Sequence, residues 1–479
     1  MRIRFWNSVL VALVAVVSIT GCHKMTDEHN EVTDGALKKN LMELIDETPD
    51  LSTFAGYLRQ TGYDKELESS KSYTVFAPAN SSLAGLDPTV ISSPAKLKKF
   101  VGNHIALQQY RTTSVTKLTR IAMLNGKYNN MLGTKIEDAT ITTADKYAAN
   151  GLLQVLNKML PALDNCWEFM TNNALAPTKQ SVFMQTLFRN VFDTTNAIVI
   201  GVNPNTGDPI YQTGTDSVFT NLFWNRVHDL KDEKKQFTYF MLVNTTWDSE
   251  VNKFSPYFQT STPDSTTMTA SWNVVKDFAV DTVYNPTTIP DTIFSKSGTK
   301  LGIDKSAIVT TVKTSNGIIF IMNKLDVQPL HKFLPYLIQA ENYSSTSHDR
   351  RNNTYFRDRF NTTTGKDFRD VLVLNHGVAL FNIRYEISEM PKLKYKAYWV
   401  ALNDFQTATF TQKLGIGSPT SATFNYTTVA LNDYNEVYIG EFTNARYWPK
   451  YDIFLTAANS TTAAANPLVC DYIKLVPGL

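Results

Sequence analysis

Short apolar runs that end at prolines and turn residues set the pattern of the first third of the chain. Residues 73–77 form such a run, closed by Pro78, and predict a buried strand that leaves its sheet at the proline. Asn80 follows and can cap the start of a helix. Upstream, apolar residues between 41 and 58 have helical spacing, and Pro49 is expected to divide them into two short helices. This alternation predicts an α/β domain.

The same pattern returns later in the chain. Residues 73–80 (YTVFAPAN) recur as 237–244 (FTYFMLVN), and residues 150–158 (NGLLQVLNK) recur as 316–324 (NGIIFIMNK). The two offsets are 164 and 166 residues, so both parts of the pattern shift together. Two matches at nearly one offset predict a duplicated domain.

The last part of the chain, residues 335–479, has a different pattern. Its apolar and polar residues alternate in short runs such as 394–400, where Tyr395, Ala397 and Trp399 share one face. Turn signals separate these runs. Many short strands with such punctuation predict a β-sandwich, and Trp399 is expected in its core.

The N-terminal residues have the pattern that is expected of an export signal. Arg2 and Arg4 precede an apolar run over residues 9–17 that is too short to span a bilayer, and residues 18–22 (SITGC) follow it. This ending resembles a bacterial lipobox, which implies that residues 1–21 are removed and that Cys22 carries a lipid anchor to a membrane. A plain signal peptide that ends near a cysteine is the alternative.

Residues 22–37 carry no core pattern and are expected to form a flexible tether. Within it, residues 23–28 (HKMTDE) resemble the acidic export signal of surface lipoproteins of the Bacteroidetes. The resemblance implies that the protein is anchored in the outer membrane and faces the cell exterior. An ordinary polar tether is the alternative.

The charge balance argues against nucleic-acid binding, and the cysteine spacing argues against a metal site. Lys and Arg number 46 against 44 Asp and Glu, and no basic stripe is visible, so nucleic-acid binding is not expected. Aromatic residues make up 12%, which suits β-rich domains with rings that face a sugar or a partner. Beyond Cys22, Cys166 and Cys470 show no metal-site spacing, and two buried thiols are expected rather than a disulfide.

The repeated segments resemble a known family. Residues 73–80 and 150–158 resemble the two signature blocks of fasciclin domains, and His104 stands where that family carries a Tyr-His motif. The resemblance implies a first fasciclin domain over 38–168, a compact α/β fold with a wedge of two sheets. It implies a second, divergent fasciclin-like domain over 178–332.

The second copy departs from the family pattern at several points. It lacks the Ala-Pro pair, has Phe278 where the histidine is expected, and carries a long insertion around residues 202–219. His104 itself is expected to be a histidine of the domain core or surface rather than a ligand.

The C-terminal segment also has a family resemblance. Residues 338–343 (IQAENY) and 470–477 (CDYIKLVP) resemble the first and last strands of carbohydrate-binding modules with a galactose-binding-like β-sandwich, or jelly roll. The implied fold class is thus multidomain, α+β and all-β. The family commonly places a second acidic residue at position 339, for a structural calcium site. Gln339 weakens that ligand set to Glu341 and backbone oxygens, so calcium is doubtful and no other cofactor is expected.

Catalytic motifs are not found in the sequence. It contains no Gly-x-Ser-x-Gly, no His-Glu-x-x-His, no P-loop and no Rossmann glycine pattern. A carboxylate pair for glycoside hydrolysis stays open, but no pair stands out. We therefore expect a protein that is not an enzyme.

Two polar and aromatic segments of the C-terminal domain are candidate ligand sites. Aromatic rings beside basic residues and a proline, in an expected loop, suit stacking on a sugar or packing at an interface. The first segment supplies Arg446, Tyr447, Trp448 and Tyr451, and the second supplies Asn353, Tyr355 and Arg357. The alternative is that both segments are turns without a ligand.

These features support two functions. The combination of a lipoprotein signal, fasciclin-like domains and a carbohydrate-module-like sandwich resembles surface lipoproteins that accompany Sus-type uptake complexes. This resemblance implies a TonB-dependent transporter and its lid lipoprotein as partners and a glycan as ligand. The alternative is a fasciclin-type adhesion protein that contacts host matrix or neighbouring cells. Exposed rings at the candidate segments would favour glycan binding, and buried rings would favour adhesion or docking.

Overall fold

A computed structural model describes residues 38–69, 71–204 and 206–478. The expected signal, Cys22 and the tether lie outside these residues. The described chain divides into two compact units, the first made of residues up to 165 with 231–235 and 314–316, and the second of the remaining residues. Within the described part, no helix is long and apolar enough to cross a membrane.

The first unit is built around a buried strand at the position that the sequence predicts. Its helices are α1 (Leu41–Asp46), α2 (Ser52–Thr61), α3 (Tyr63–Leu67), α4 (Asn80–Leu83), α5 (Pro88–Ile91) and α6 (Pro94–Gly102). Its strands are β1 (Tyr73–Pro78), β2 (Ile105–Ala106), β3 (Thr119–Ala122), β4 (Tyr128–Leu132), β5 (Lys135–Ile136), β6 (Ala139–Ala148) and β7 (Gly151–Leu156). As expected, a short 3-10 turn that begins at Pro49 separates α1 from α2.

The strands of this unit follow the order β2-β1-β7-β6-β5-β4-β3. The sequence resemblance predicts a wedge of two sheets. In the structure the strands are hydrogen-bonded without a break in their order, because β6 pairs with β5 at its start and with β7 along its length. Strand β1 is buried on both faces: Val75 packs in a core formed with the helices, and Phe76 packs in a second core formed with β3 to β6.

One local prediction is wrong. Asn80 does not cap a helix, because α4 begins at Asn80 itself and Ala79 holds the cap position. The Asn80 side chain instead accepts a hydrogen bond from the Thr53 N–H at 3.0 Å and donates one to the Pro49 carbonyl at 3.1 Å. It therefore fixes the start of α2 against the end of β1.

The second unit begins with the expected repeat. Its helices are α7 (Cys166–Asn172), α8 (Thr178–Thr186), α9 (Leu222–Arg226), α10 (Asn244–Phe254), α11 (Pro263–Val275) and α12 (Pro329–Lys332). Its first strands are β8 (Phe188–Phe192), β9 (Val199–Val202), β10 (Pro209–Tyr211), β11 (Ser217–Asn221), β12 (Phe237–Leu242), β13 (Ala279–Val280), β14 (Thr292–Phe294), β15 (Lys300–Gly302), β16 (Ile308–Thr314) and β17 (Gly317–Met322).

The repeated segments pair in the same register in both places. Strand β1 runs parallel to β7 from the pair Tyr73–Gly151, and β12 runs parallel to β17 from the pair Phe237–Gly317. Each first strand also pairs antiparallel with a two-residue strand, β2 or β13. The sequence repeat is therefore a repeat of one sheet core.

The expected His-to-Phe replacement lies at equivalent places in the two copies. The Phe76 N–H donates to the His104 carbonyl, and the Phe240 N–H donates to the Phe278 carbonyl, both at 2.8 Å. At the position of His104 and Phe278, the two sheets thus share a backbone hydrogen bond, which does not depend on the side chain.

The insertion in the second copy forms a two-stranded ribbon. Strand β8 pairs with β11, and β9 pairs with β10 beyond it, all antiparallel. We call residues 188–221 the ribbon.

The C-terminal segment is a β-sandwich. Its strands are β18 (Tyr336–Gln339), β19 (Ser345–Thr346), β20 (Thr354–Asn361), β21 (Lys366–Val373), β22 (Asn382–Met390), β23 (Lys394–Val400), β24 (Phe410–Ile416), β25 (Thr427–Val429), β26 (Val437–Thr443), β27 (Trp448–Ala457), β28 (Leu468–Cys470) and β29 (Tyr472–Gly478). They form sheets in the orders β18-β29-β23-β26, β19-β22-β27-β24-β25 and β20-β21-β28.

Alternating burial along β22 and β23 gives each of the two larger sheets one buried face. Tyr385 from one sheet and Tyr395 and Trp399 from the other belong to one core cluster, which confirms the expected place of Trp399. Cys166 and Cys470 are buried and form no disulfide.

Candidate binding groove on the C-terminal sandwich

The first predicted segment is a strand rather than a loop from Trp448 onward, because β27 pairs with β22 along this stretch. Three of its side chains form a partly exposed cluster. The Arg446 guanidinium lies 3.8 Å from the centre of the Trp448 ring, and the Trp448 and Tyr451 rings are 5.7 Å apart. The Arg446–Trp448 pair is a cation–π stack, in which the cation lies against one face of the Trp448 ring.

Tyr447 points the other way. Its ring is buried and lies 5.7 Å from the Phe258 ring, and its N–H donates to the Gln259 carbonyl at 2.9 Å. Burial raises the pKa of the Tyr447 hydroxyl. Tyr447 thus joins the sandwich to the second copy of the sheet core.

The second predicted segment is a strand from Thr354 onward, and Asn353 ends a 3-10 turn just before it. All eight residues of β20 pair with β21. Tyr355 is exposed, and the Asn353 amide donates to the Asn375 carbonyl at 3.2 Å.

Arg357 is engaged within the protein. Its guanidinium binds both carboxylate oxygens of Asp370, at 2.8 and 2.5 Å, and one oxygen of Asp404 at 2.6 Å. Among the described residues, no hydrogen bond, ion pair or ring contact joins this segment to the first one. The structure thus shows no direct contact between the two predicted segments in its described part.

A groove of about 660 Å³ lies elsewhere on the sandwich. It continues into a shallower groove of about 840 Å³, which shares Asp367, Phe368, Arg369 and Tyr434 with it. Tyr472, Glu436 and Lys474 line the other side. Aromatic rings beside charged groups in an open groove suit a hydroxylated ligand, which can stack on rings and bond to charges.

Hydrogen bonds hold these groups in place. The Tyr472 hydroxyl and the Lys474 ammonium both donate to Glu436, at 2.9 and 3.1 Å. Burial and the bond to Glu436 raise the pKa of the Tyr472 hydroxyl. The buried Asn361 amide donates to the Tyr434 carbonyl at 3.2 Å and fixes the loop that carries Tyr434.

A buried carboxyl group, that of Asp471, lines the groove. Burial, together with the charges of Asp370 and Glu341, raises the pKa of Asp471 to about 7. One oxygen of Glu341 is buried and has no hydrogen-bond partner among the described residues. Asp370 forms an ion pair with Arg357.

This donor set fits a calcium ion in part. Ca²⁺ takes six to eight oxygen ligands, and a buried carboxyl whose pKa is raised by a neighbouring carboxylate gains from a divalent cation. Within the described chain, no group of three or more His, Cys, Asp or Glu side chains is arranged to hold a metal. Glu341 and Asp471 would therefore hold calcium only with backbone oxygens and water.

His104 lies in the core of the first unit, in agreement with the prediction. Its Nδ1–H donates to the Phe100 carbonyl and its Nε2 accepts from the Leu160 N–H, both at 2.9 Å. Burial lowers the pKa of His104 to about 4, so the ring is neutral at pH 7. Both nitrogens are used, and the ring supports the domain rather than a ligand.

The comparisons with known proteins agree with the first repeat. The family model described as the fasciclin domain matches residues 49–162. A search of the curated proteins finds no match to the chain. Among solved structures, the fasciclin domain pair of the insect cell adhesion molecule Fasciclin I is 14% identical, with a TM-score of 0.24, and the alignment covers 60% of this chain and 100% of that chain.

Carbohydrate-binding modules also match. A family 35 module from Clostridium thermocellum is 15% identical over 30% of this chain and 100% of its own, with a TM-score of 0.22. A β-1,3-glucan-binding family 6 module from Bacillus halodurans is 14% identical over 29% of this chain and 95% of its own, with a TM-score of 0.22. The family match confirms the fasciclin resemblance of residues 73–80 and 150–158, which both lie within 49–162.

Proposed function

We propose that this protein binds a glycan, without catalysis, in the groove between Phe368 and Tyr472. The observation that carries the proposal is the groove itself, where the Phe368, Tyr434 and Tyr472 rings lie among charged side chains. Sugars offer apolar faces to rings and hydroxyl groups to charges, and this groove presents both kinds of partner.

The protein acts at the outer surface of a Bacteroidetes-type outer membrane, held by a lipid on Cys22. The lipobox-like residues 18–22 and the tether-like residues 23–28 support this location. There it serves as an accessory of a Sus-type complex and contacts a TonB-dependent transporter and its lid lipoprotein.

A retardation assay tests glycan binding. The protein runs in native gels that contain single soluble polysaccharides, and the polysaccharides are afterwards analysed for new reducing ends. Slower migration in at least one gel, with no new ends, supports the proposal. Equal migration across a broad panel of plant, algal and host polysaccharides would remove it, and new reducing ends would show an enzyme.

A second experiment tests the proposed contact with the transporter and its lid lipoprotein. The native lipoprotein is recovered from detergent-solubilised outer membranes, and the proteins that co-purify are identified. Stoichiometric recovery of a TonB-dependent transporter and its lid lipoprotein supports the uptake role, whereas recovery of the protein alone contradicts it.

Adhesion is the second candidate, and one observation favours it. Tyr447, an expected ligand ring, is buried against Phe258 instead of exposed. Binding of the purified protein to immobilised matrix proteins, together with no retardation by any polysaccharide, would make adhesion the better account.

A further inference from the structure

The ribbon exposes more apolar surface than its size explains. Large apolar side chains that are 42% exposed or more occur along both of its arms: Phe192, Ile198, Val199, Ile200, Val202, Ile210, Val218 and Phe219. A concentration of exposed apolar side chains on one element is typical of a protein–protein interaction site.

The strands of the ribbon also have open edges, because each pairs with one strand only among the described residues. Strand β9 pairs with β10, and no other strand among the described residues pairs with β9. Proteins usually protect such edges with charges or prolines inside the strand. Strand β9 has neither, and residues 194–207 contain no charged side chain.

We propose that the ribbon joins two copies of this chain, through antiparallel pairing of β9 with β9 of the second copy. A strand that pairs antiparallel with itself forms a two-fold contact, in which the same surface serves both partners. Because β9 is uncharged, self-pairing brings no like charges face to face along the strand. In such a pair residue i of one copy faces residue j of the other and j faces i, so Val199, Ile200 and Val202 of both copies line one apolar seam.

The charges of the ribbon disfavour a lipid surface as the occupant. Asp193, Asp208 and Asp216 lie near its turns, and Arg189 is its one basic residue. Membrane-surface elements carry Lys and Arg, which bind anionic lipids. A ribbon that carries more acidic than basic residues would be repelled by anionic lipids.

Two matched substitutions test the proposal. Val199 is 55% exposed on β9, and Val309 is 56% exposed on β16, an edge strand of another sheet. Val199→Lys places a charge on the β9 seam, and Val309→Lys places the same charge elsewhere. Val202→Lys, also on β9, serves as a second test in case Val199→Lys fails to fold, and circular dichroism checks the fold of each variant.

The mass of the full chain is measured by light scattering behind size-exclusion chromatography, with the detergent contribution subtracted. We expect a dimer at tens of micromolar for the wild type and for Val309→Lys, and a monomer for folded Val199→Lys or Val202→Lys. A monomeric wild type at that concentration would overturn the proposal. A dimer that persists in both β9 variants would overturn it as well, since the contact would then lie elsewhere.

Discussion

Gly151 and Gly317 show how a single residue fixes the repeated sheet. Both have a φ of +153°, and a Cβ at either position would collide with the carbonyl oxygen of the first residue of the neighbouring parallel strand, Tyr73 or Phe237. The backbones can thus approach closely only if the residue has no side chain. The Asn-Gly pair of the sequence repeat therefore reflects packing as well as a turn.

Replacement of Gly151 by alanine should be costly. We expect Gly151→Ala to lower the free energy of unfolding by about 2–4 kcal/mol, because the strained φ and the collision with the Tyr73 carbonyl both act on the folded state. Urea unfolding followed by fluorescence measures the change. Gly85→Ala is the control, since a methyl group at Gly85 would meet no atom within 4 Å and should change little. Equal effects of the two substitutions would contradict this explanation.

Glu341 and Asp471 lead to a prediction about calcium. If they hold Ca²⁺, millimolar calcium should raise the melting temperature of the chelator-treated protein, because the ion binds only the folded site. Asp471→Asn should remove most of that rise while keeping the backbone bonds of Asp471 to Val400 and Ala340. Differential scanning calorimetry with calcium and with magnesium makes the comparison. No rise with calcium in the wild type would show that the two carboxylates stay without an ion.

The residues of the groove could not be predicted from local sequence. Phe368, Tyr434 and Tyr472 come from distant segments of the sequence. Phe368 lies on β21 and Tyr472 on β29, which belong to different sheets, and only the folding of the sandwich brings the three residues to one groove. Arg446, Trp448 and Tyr451 could be grouped in advance because they are close in sequence. Sequence proximity did not reveal that Tyr447 would face the second copy, since that direction depends on the packing of Phe258.

At the scale of elements, β22 carries an ionic contact to the second copy. Glu389 has a positive φ of 55°, and its carboxylate binds Arg226 of α9 at 2.8 Å and Lys276 at the end of α11 at 3.2 Å. The Tyr336 hydroxyl also donates to the Glu389 carbonyl at 3.0 Å. Lys276 and Arg226 lower the pKa of Glu389 against the effect of its burial. Glu389 thus couples the sandwich to two helices.

This contact predicts a pH-dependent stability. A carboxyl with a lowered folded pKa contributes stability above its unfolded pKa of about 4.5 and loses it as the pH falls through the folded pKa. Glu389→Gln should therefore cost about 1–3 kcal/mol at pH 7 and progressively less below pH 4.5. Thermal unfolding at a series of pH values measures this difference.

Glu386→Gln is the control on the same strand. Glu386 pairs with Lys450, whose side chain is 72% exposed, and exposed pairs contribute little. If Glu389→Gln cost no more than Glu386→Gln at pH 7, the ionic contact would not stabilise the joint.

Strands could be predicted from the sequence where the pattern of apolar residues determines which of their faces are buried. Residues 73–78 and 237–242 are buried strands because their apolar runs need two covered faces, and residues 394–400 alternate because β23 has one covered face. Residues 448–451 and 354–357 were expected to be loops, since their polar and aromatic composition resembles turns. Pairing with β22 and β21 outweighs that composition and makes them strands.

At the scale of the whole molecule, the two copies of the sheet core have diverged in their attachments. The first keeps the fasciclin pattern, whereas the second carries the ribbon and contacts the sandwich through Tyr447 and Glu389. The insertion was visible in the sequence at residues 202–219, but its apolar exposure was not, because only the fold shows that no part of the described chain covers it. Binding by the sandwich groove is the central claim of this account.

The most direct test compares two tyrosines on the sandwich. Tyr434 lines the groove, and Tyr438, which is 52% exposed on β26, does not. Calorimetric titration with oligosaccharides of the polysaccharide that retards the protein gives the affinity of each variant. We predict that Tyr434→Ala weakens binding about tenfold through the loss of one stacking ring, and that Tyr438→Ala leaves it unchanged. Wild-type affinity in Tyr434→Ala would contradict the account, because the glycan would then bind outside the groove.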